Sequence, residues 1–274
     1  MYTLSNDKLT VEILDPIADR SRMGARYCCG GYIFQIHDRQ LGPLLSGPSY
    51  PNAFNSFDGQ GIPDAFNLAP LRSVGDADSG LILGVGMCHL RPDYRQNEVT
   101  DYAAWDVSQG DVSLVMRTTQ HHVGWSLILT REVSLLNRTV RSKTRISNQG
   151  DAAIPICWFP HPFFPQPLEP TLLKLNFSTK IADNDGYLQS DSGYIMRKGA
   201  PVMPGHYLAL THASQVPLVV QQRHPVLGMV TATTSYVPSF FPIWGNANTF
   251  SWEPFLERTI APGQEPEWSI DYDF

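Results

Sequence analysis

Charge is scarce in this 274-residue chain, with only 17% of residues being Asp, Glu, Lys or Arg. What charge there is leans acidic: 26 acidic against 20 basic residues, a net charge of −6. A chain of that sign has no electrostatic reason to hold a phosphate polymer, so no nucleic-acid partner is expected. Long apolar runs are missing too. The longest are strand-sized, such as Leu81 to Val85, against the roughly 18 residues of a membrane span. No membrane partner is expected. The opening MYTLSNDKLTVEIL has no basic stretch followed by an apolar one and does not read as a signal peptide. Cysteine is sparse, at Cys28, Cys29, Cys88 and Cys157. The adjacent Cys28-Cys29 suits neither a zinc knuckle nor a CxxC redox pair. Four cysteines are too few for a disulfide scaffold, so they read as free thiols of a reducing compartment and point to the cytoplasm. No metal site and no cofactor is expected. Asp58-Gly59-Gln60-Gly61-Ile62-Pro63-Asp64 lacks the lysine and the strand-to-helix setting of a phosphate loop.

Helical periodicity is also absent: no 3.6-residue stripe exceeds two turns. The 21 Gly and 22 Pro would break helix interiors. What the chain does have is 42% hydrophobic and 11% aromatic residues, enough for a large core and against disorder. They recur with a period of two. Leu127, Leu129, Arg131, Val133 and Leu135 alternate with Ile128, Thr130, Glu132 and Ser134, and Trp268, Ile270, Tyr272 and Phe274 close the chain in the same way. Turn signals such as Gly30-Gly31, Asn148-Gln149-Gly150-Asp151 and Pro262-Gly263 separate these runs. The pattern predicts an all-β chain of antiparallel strands, a sandwich or barrel, forming one domain over 1–274. Two segments depart from it. Residues 52–71 are loop-like and rich in Phe. Residues 154–170 hold six prolines, too many for a central strand.

Two ionisable residues stand out in apolar surroundings. His161 lies in Trp158-Phe159-Pro160-His161-Pro162-Phe163-Phe164, its backbone restricted by a proline on each side. Rings beside an imidazole suit a carbohydrate site, where sugar C–H faces stack and an acid or base acts. A core histidine in an aromatic cluster is the other reading. Glu253 lies in Phe250-Ser251-Trp252-Glu253-Pro254-Phe255. A lone carboxylate in such a run should have a raised pKa and suit a general base. An exposed edge-strand glutamate stopped by Pro254 is the alternative.

Together these elements resemble the aldose 1-epimerase (galactose mutarotase-like) superfamily. The resemblance rests on the His-Pro-Phe-Phe element at His161, the late Glu253-Pro254-Phe255 element, the Ile260-Ala261-Pro262-Gly263-Gln264 turn and the terminal Trp268 to Phe274 strand. Gly30-Gly31-Tyr32-Ile33 and the run from Arg141 to Gly150 extend it upstream. It implies a large antiparallel β-sandwich with a sugar pocket. It also implies that Glu253 is the base taking the C1 hydroxyl proton of a pyranose and that His161 is the acid serving the ring oxygen. In an enzyme the two should face each other across a gap that leaves room for C1 and O5. The expected partner is a small-molecule sugar; the oligomeric state is not legible.

The second active-site histidine and the substrate-binding aspartate of that superfamily have no clear counterpart. His89 alternates with Leu81, Leu83, Val85 and Met87 on what reads as one strand face, and Arg91 continues it to where it could reach a sugar hydroxyl. His206 lies in the region of the missing aspartate. Asp64 and Arg72 flank the Phe-rich loop and are placed to rim a pocket, and Trp158 and Trp252 are candidate stacking rings. Arg141, Lys143 and Arg145 share one face, either a phosphate patch or a solvated sheet surface. Three functions remain open: an aldose 1-epimerase acting on a free hexose, a non-catalytic carbohydrate-binding protein on the same scaffold, and a hexose-6-phosphate mutarotase. The last requires at least two Arg or Lys beside the pocket.

Overall fold

The computed structural model describes residues 1–75 and 77–274. The period-two runs are strands, and among the described residues the helical turns are two short 3-10 segments, Arg20–Arg22 and Tyr94–Gln96. The largest sheet has ten strands, each antiparallel to its neighbours. Its middle runs Gly228–Thr234, Glu267–Asp273, Thr139–Asn148, Trp125–Leu136, Ser113–His122. In Trp125–Leu136 the odd-numbered residues from Leu127 to Leu135 are buried and the even-numbered ones half-buried. One face of the sheet is therefore dry, as alternation demands.

Smaller sheets cover that face. One pairs Ile154–Pro160 with Leu256–Ile260 on one side and Asp64–Ala65 on the other. Another is ordered Phe164–Pro165, Thr249–Trp252, Phe241–Gly245, His206–Leu210. Aromatic contacts join the layers: Trp158 meets Trp268 edge-on at 5.4 Å, and Trp252 stacks on Tyr272 at 6.1 Å. This is a sandwich of two packed layers around one core.

Arg131 is the exception on the dry face. Its period in the strand forces a guanidinium into the core, where an unpaired charge is very costly. Asp64 supplies the counter-charge, and Thr144, Ser142 and the Gly30 carbonyl accept the remaining donors. All four cysteines are free, three of them buried. No helix among the described residues is long and apolar enough to cross a membrane.

Two sequence expectations are corrected. The run from Leu81 to Arg91 is not one strand face but a hairpin, Ser79–Ile82 against Gly86–His89. Gly84 turns it at φ +74°, and a side chain there would strike the Cys28 sulfur. Conversely, Ile154–Pro160 is a central strand despite its prolines. Asp64–Ala65 pairs only with Phe159 and Pro160, so Pro155 sits where that edge is free and no N–H is missed.

Candidate active site

His161 and Glu253 each stand just past the end of a strand, in the two smaller sheets. The His161 N–H donates to the Pro63 carbonyl at 2.8 Å, and the Glu253 N–H to the Pro242 carbonyl at 2.9 Å. Pro162 and Pro254 follow, each without an N–H to extend a ladder, so the chain leaves the sheet there. These anchors bring His161 Nε2 to 3.4 Å from Glu253 Oε1. The Ser251 hydroxyl lies 2.8 Å from the other ring nitrogen, Nδ1. Phe163 stacks on the imidazole at 4.3 Å, and Tyr27 and Trp244 meet it edge-on.

The expected gap between acid and base is absent; the two groups are in contact, side by side.

Two cavities meet at Glu253. One, of about 420 Å³, holds His161, Phe163, Trp244, Asp58 and Arg95 in its wall. The other, of about 590 Å³, is walled by Asn67, Phe159, Phe255 and Glu257. Arg26, Tyr94, Tyr207 and Glu253 border both, so they form one two-lobed cleft. Asn67 is buried, and its side-chain oxygen has no hydrogen-bond partner. Such an atom in a cleft wall is unusual in a native structure and suits a ligand hydroxyl.

Burial governs the electrostatics. It pushes the Glu253 carboxyl up to about 7, although the nearby Arg26 charge works the other way. Burial and then Arg26 hold His161 well below the usual imidazole range. Near neutral pH the contact is thus a neutral imidazole against a carboxyl group poised between its two forms, rather than an imidazolium–carboxylate ion pair. Arg26 donates to the Phe57 carbonyl at 3.2 Å and lies over the Tyr27 and Phe57 rings. Arg95 is held by Asp93 at 2.9 Å.

The other residues singled out from the sequence lie elsewhere. Trp158 and Trp252 are buried between the layers, because alternation gives the cleft their neighbours instead: Cys157, Phe159 and His161 on one strand and Glu253 on the other, with Ser251 behind His161. His206 packs against Tyr187 and Gly186, while the next residue, Tyr207, lines the cleft. Asp64 is committed to Arg131 inside the core. His89 and Arg91 belong to the Ser79–Tyr102 hairpin region and border neither lobe. Arg141, Lys143 and Arg145 pair with Asp271, Glu132, Glu267 and Glu265, making a solvated face of mixed charge outside the cleft. Arg26, Asn67, Tyr94, Arg95 and Tyr207 were not anticipated. Tyr207 carries a signal as the strand neighbour of His206, as Ser251 does beside Glu253, and Asn67 lies in the Phe-rich segment 52–71.

No family model and no curated protein matches this sequence. Solved structures do. A galactose mutarotase related enzyme of Lactobacillus acidophilus superposes with a TM-score of 0.63 at 13% identity, covering 100% of this chain and 97% of that one. A provisionally assigned aldose 1-epimerase of Escherichia coli K12 gives 0.61 at 16% identity over 99% and 97%. A galactose mutarotase-like protein of Lactobacillus casei gives 0.56 at 13% identity over 100% and 99%. Agreement over whole chains at such low identity is agreement of architecture, and the chain has the galactose mutarotase-like β-sandwich fold.

Proposed function

We propose that the chain is an aldose 1-epimerase-like enzyme that interconverts the α and β anomers of a free hexose. The observation that carries this reading is the buried His161–Glu253 pair in an aromatic-walled cleft; the pair needs no gap to serve a sugar, because O1 and O5 are both bonded to C1 and adjacent groups can reach both. The reactive form holds one proton shared by the pair. Passing it from the Glu253 carboxyl to His161 Nε2 leaves a carboxylate base beside an imidazolium acid. Glu253 then takes the proton of the C1 hydroxyl. The C1–O5 bond breaks, its electrons go to O5, and O5 takes the Nε2 proton. The open aldehyde turns about C1–C2. Reclosure on the other face returns the O5 proton to His161, and Glu253 gives its proton to the new O1. Both groups end as they began, so acid–base chemistry on positioned groups suffices.

The pair titrates as a unit. Activity is expected to fall as pH rises through about 7, where the shared proton leaves. It should also fall well below 6.5, where a second proton enters.

The test is NMR exchange or polarimetry on α-glucose and α-galactose. Glu253→Gln should lower the rate roughly 100- to 10,000-fold. If wild type gives no acceleration over buffer across hexoses and their 6-phosphates, the enzyme reading fails. Sugar binding without acceleration would support a carbohydrate-binding protein instead.

One observation favours a second reading. Arg26 and Arg95 border the lobe that holds His161, which meets the requirement for a hexose 6-phosphate. Under this reading Arg95→Ala should raise KM for the 6-phosphate and leave that for the free hexose unchanged.

A further inference from the structure

Ser251 and Glu253 are two residues apart at the end of one strand, so their side chains share a face. Both reach the same ring. Ser251 Oγ stands 2.8 Å from His161 Nδ1, and Glu253 Oε1 stands 3.4 Å from Nε2. Ser251 is completely buried and borders neither lobe of the cleft. It therefore cannot touch a bound sugar and acts only through His161. Among the described residues Ser251 is the one side chain hydrogen-bonded to Nδ1, and the ring also bonds its own backbone.

The two imidazole nitrogens are linked: a proton on one leaves the other free to accept. Nε2 can take a proton from Glu253 only while Nδ1 carries its own, and a buried Nδ1–H needs an acceptor. A hydroxyl is suited to this place because it works in both directions. It accepts from Nδ1–H while the pair holds its shared proton. After that proton leaves, Nε2–H donates to the carboxylate and the hydroxyl turns to donate to the bare Nδ1. The other ionisable groups around the ring are Arg26, Tyr27, Asp58, Tyr94, Arg95 and Tyr207. They surround the pair in both states, whereas Ser251 is the side chain that bonds Nδ1.

We infer that Ser251 is a positioning residue that sets the tautomer of His161, accepting its Nδ1 proton so that Nε2 stays open to the proton shared with Glu253. The inference rests on the acid–base reading of the pair.

Nitrogen NMR of the histidine-labelled full chain tests it, with the His161 signals identified by their loss in His161→Gln. In wild type, Nδ1 should carry the proton below about pH 7 and Nε2 above it. In Ser251→Ala both forms lose a hydrogen bond, but a buried N–H left without an acceptor costs more than a bare ring nitrogen, so the crossover should move to the acid side. Ser251→Thr, which keeps the hydroxyl, should restore it. In mutarotation, Ser251→Ala should lower kcat about 10-fold with KM unchanged and shift the alkaline limb in the same direction. A single His161 tautomer across the whole pH range in wild type would overturn the inference, and that result needs no folded variant. Unchanged His161 signals in Ser251→Ala would overturn it as well. An absence of mutarotation in wild type would overturn the enzyme reading alone, since the NMR titration still decides the role of Ser251.

Discussion

Glu253→Gln should make this protein more stable at alkaline pH, and by an amount that depends on pH in a defined way. Glu253 is 7% exposed. Its carboxyl titrates at about 7 in the folded chain against an ordinary value of 4.5, chiefly because burial disfavours the charge. Unfolding returns it to the ordinary value. Between pH 4.5 and about 7 the folded chain holds a proton that the unfolded chain has released, so stability falls as pH rises through this window. Below the window the cost is absent; above it the cost is complete. At about 1.4 kcal/mol per pH unit it amounts to about 3 kcal/mol. Glutamine resembles the protonated carboxyl, since its N–H can donate to His161 Nε2, and it never ionises. Urea unfolding at about pH 5 and about pH 8 measures the difference. The gain of the variant over wild type should be under about 1 kcal/mol at the lower pH and larger by about 2.5 kcal/mol at the higher. His161 contributes a slope of opposite sign, because burial holds it low and the unfolded chain takes up its proton first as pH falls. Where that slope acts, well below pH 6.5, the carboxyl and the amide are both neutral, so it is similar in the two chains. A gain equal at both pH values would refute the reasoning, for it would mean that Glu253 is not desolvated. Under the proposed function, such a gain alongside lost catalysis is the exchange of stability for function expected at an active site.

Three further outcomes separate core from cleft. Asp64→Ala leaves the Arg131 guanidinium buried without its counter-charge; chemical denaturation should register a loss of about 3–5 kcal/mol, and a loss near zero would contradict the pairing. Trp158→Phe removes part of a ring packed on Tyr236 and Trp268. It should cost about 1–2 kcal/mol of stability and leave sugar affinity by calorimetry unchanged; weakened affinity would return Trp158 to the site. Tyr207→Ala should do the reverse, because its exposed ring lines the cleft. KM should rise about 5- to 10-fold, the worth of roughly 1 kcal/mol of ring contact, with the unfolding midpoint in urea unchanged.

Much of the architecture was legible because its signal is local. Alternation along Trp125–Leu136 and Glu267–Asp273 marks one dry face without reference to any partner strand. The hairpin at Gly84 was misread because an apolar run continues through the turn, and only the approach of Cys28 shows why a glycine is needed there. His161 and Glu253 were legible for another reason: an ionisable group amid rings and prolines is rare in either a wet strand or a plain core.

By itself, then, the sequence determined the strand-forming pattern, the excess of aromatic residues and the two ionisable groups held among them. Tertiary structure alone decided which neighbours of those groups face the cleft. Side chains on a strand alternate, so an offset of one residue exchanges core for cavity. That offset puts Trp158 and Trp252 in the core, and gives the site Phe159, Ser251 and Tyr207. Arg26 and Asn67 come from loops and Tyr94 from the second 3-10 segment, all distant from one another in the chain. No local spacing encodes their convergence, since it is fixed by how the smaller sheets lie on the ten-stranded one.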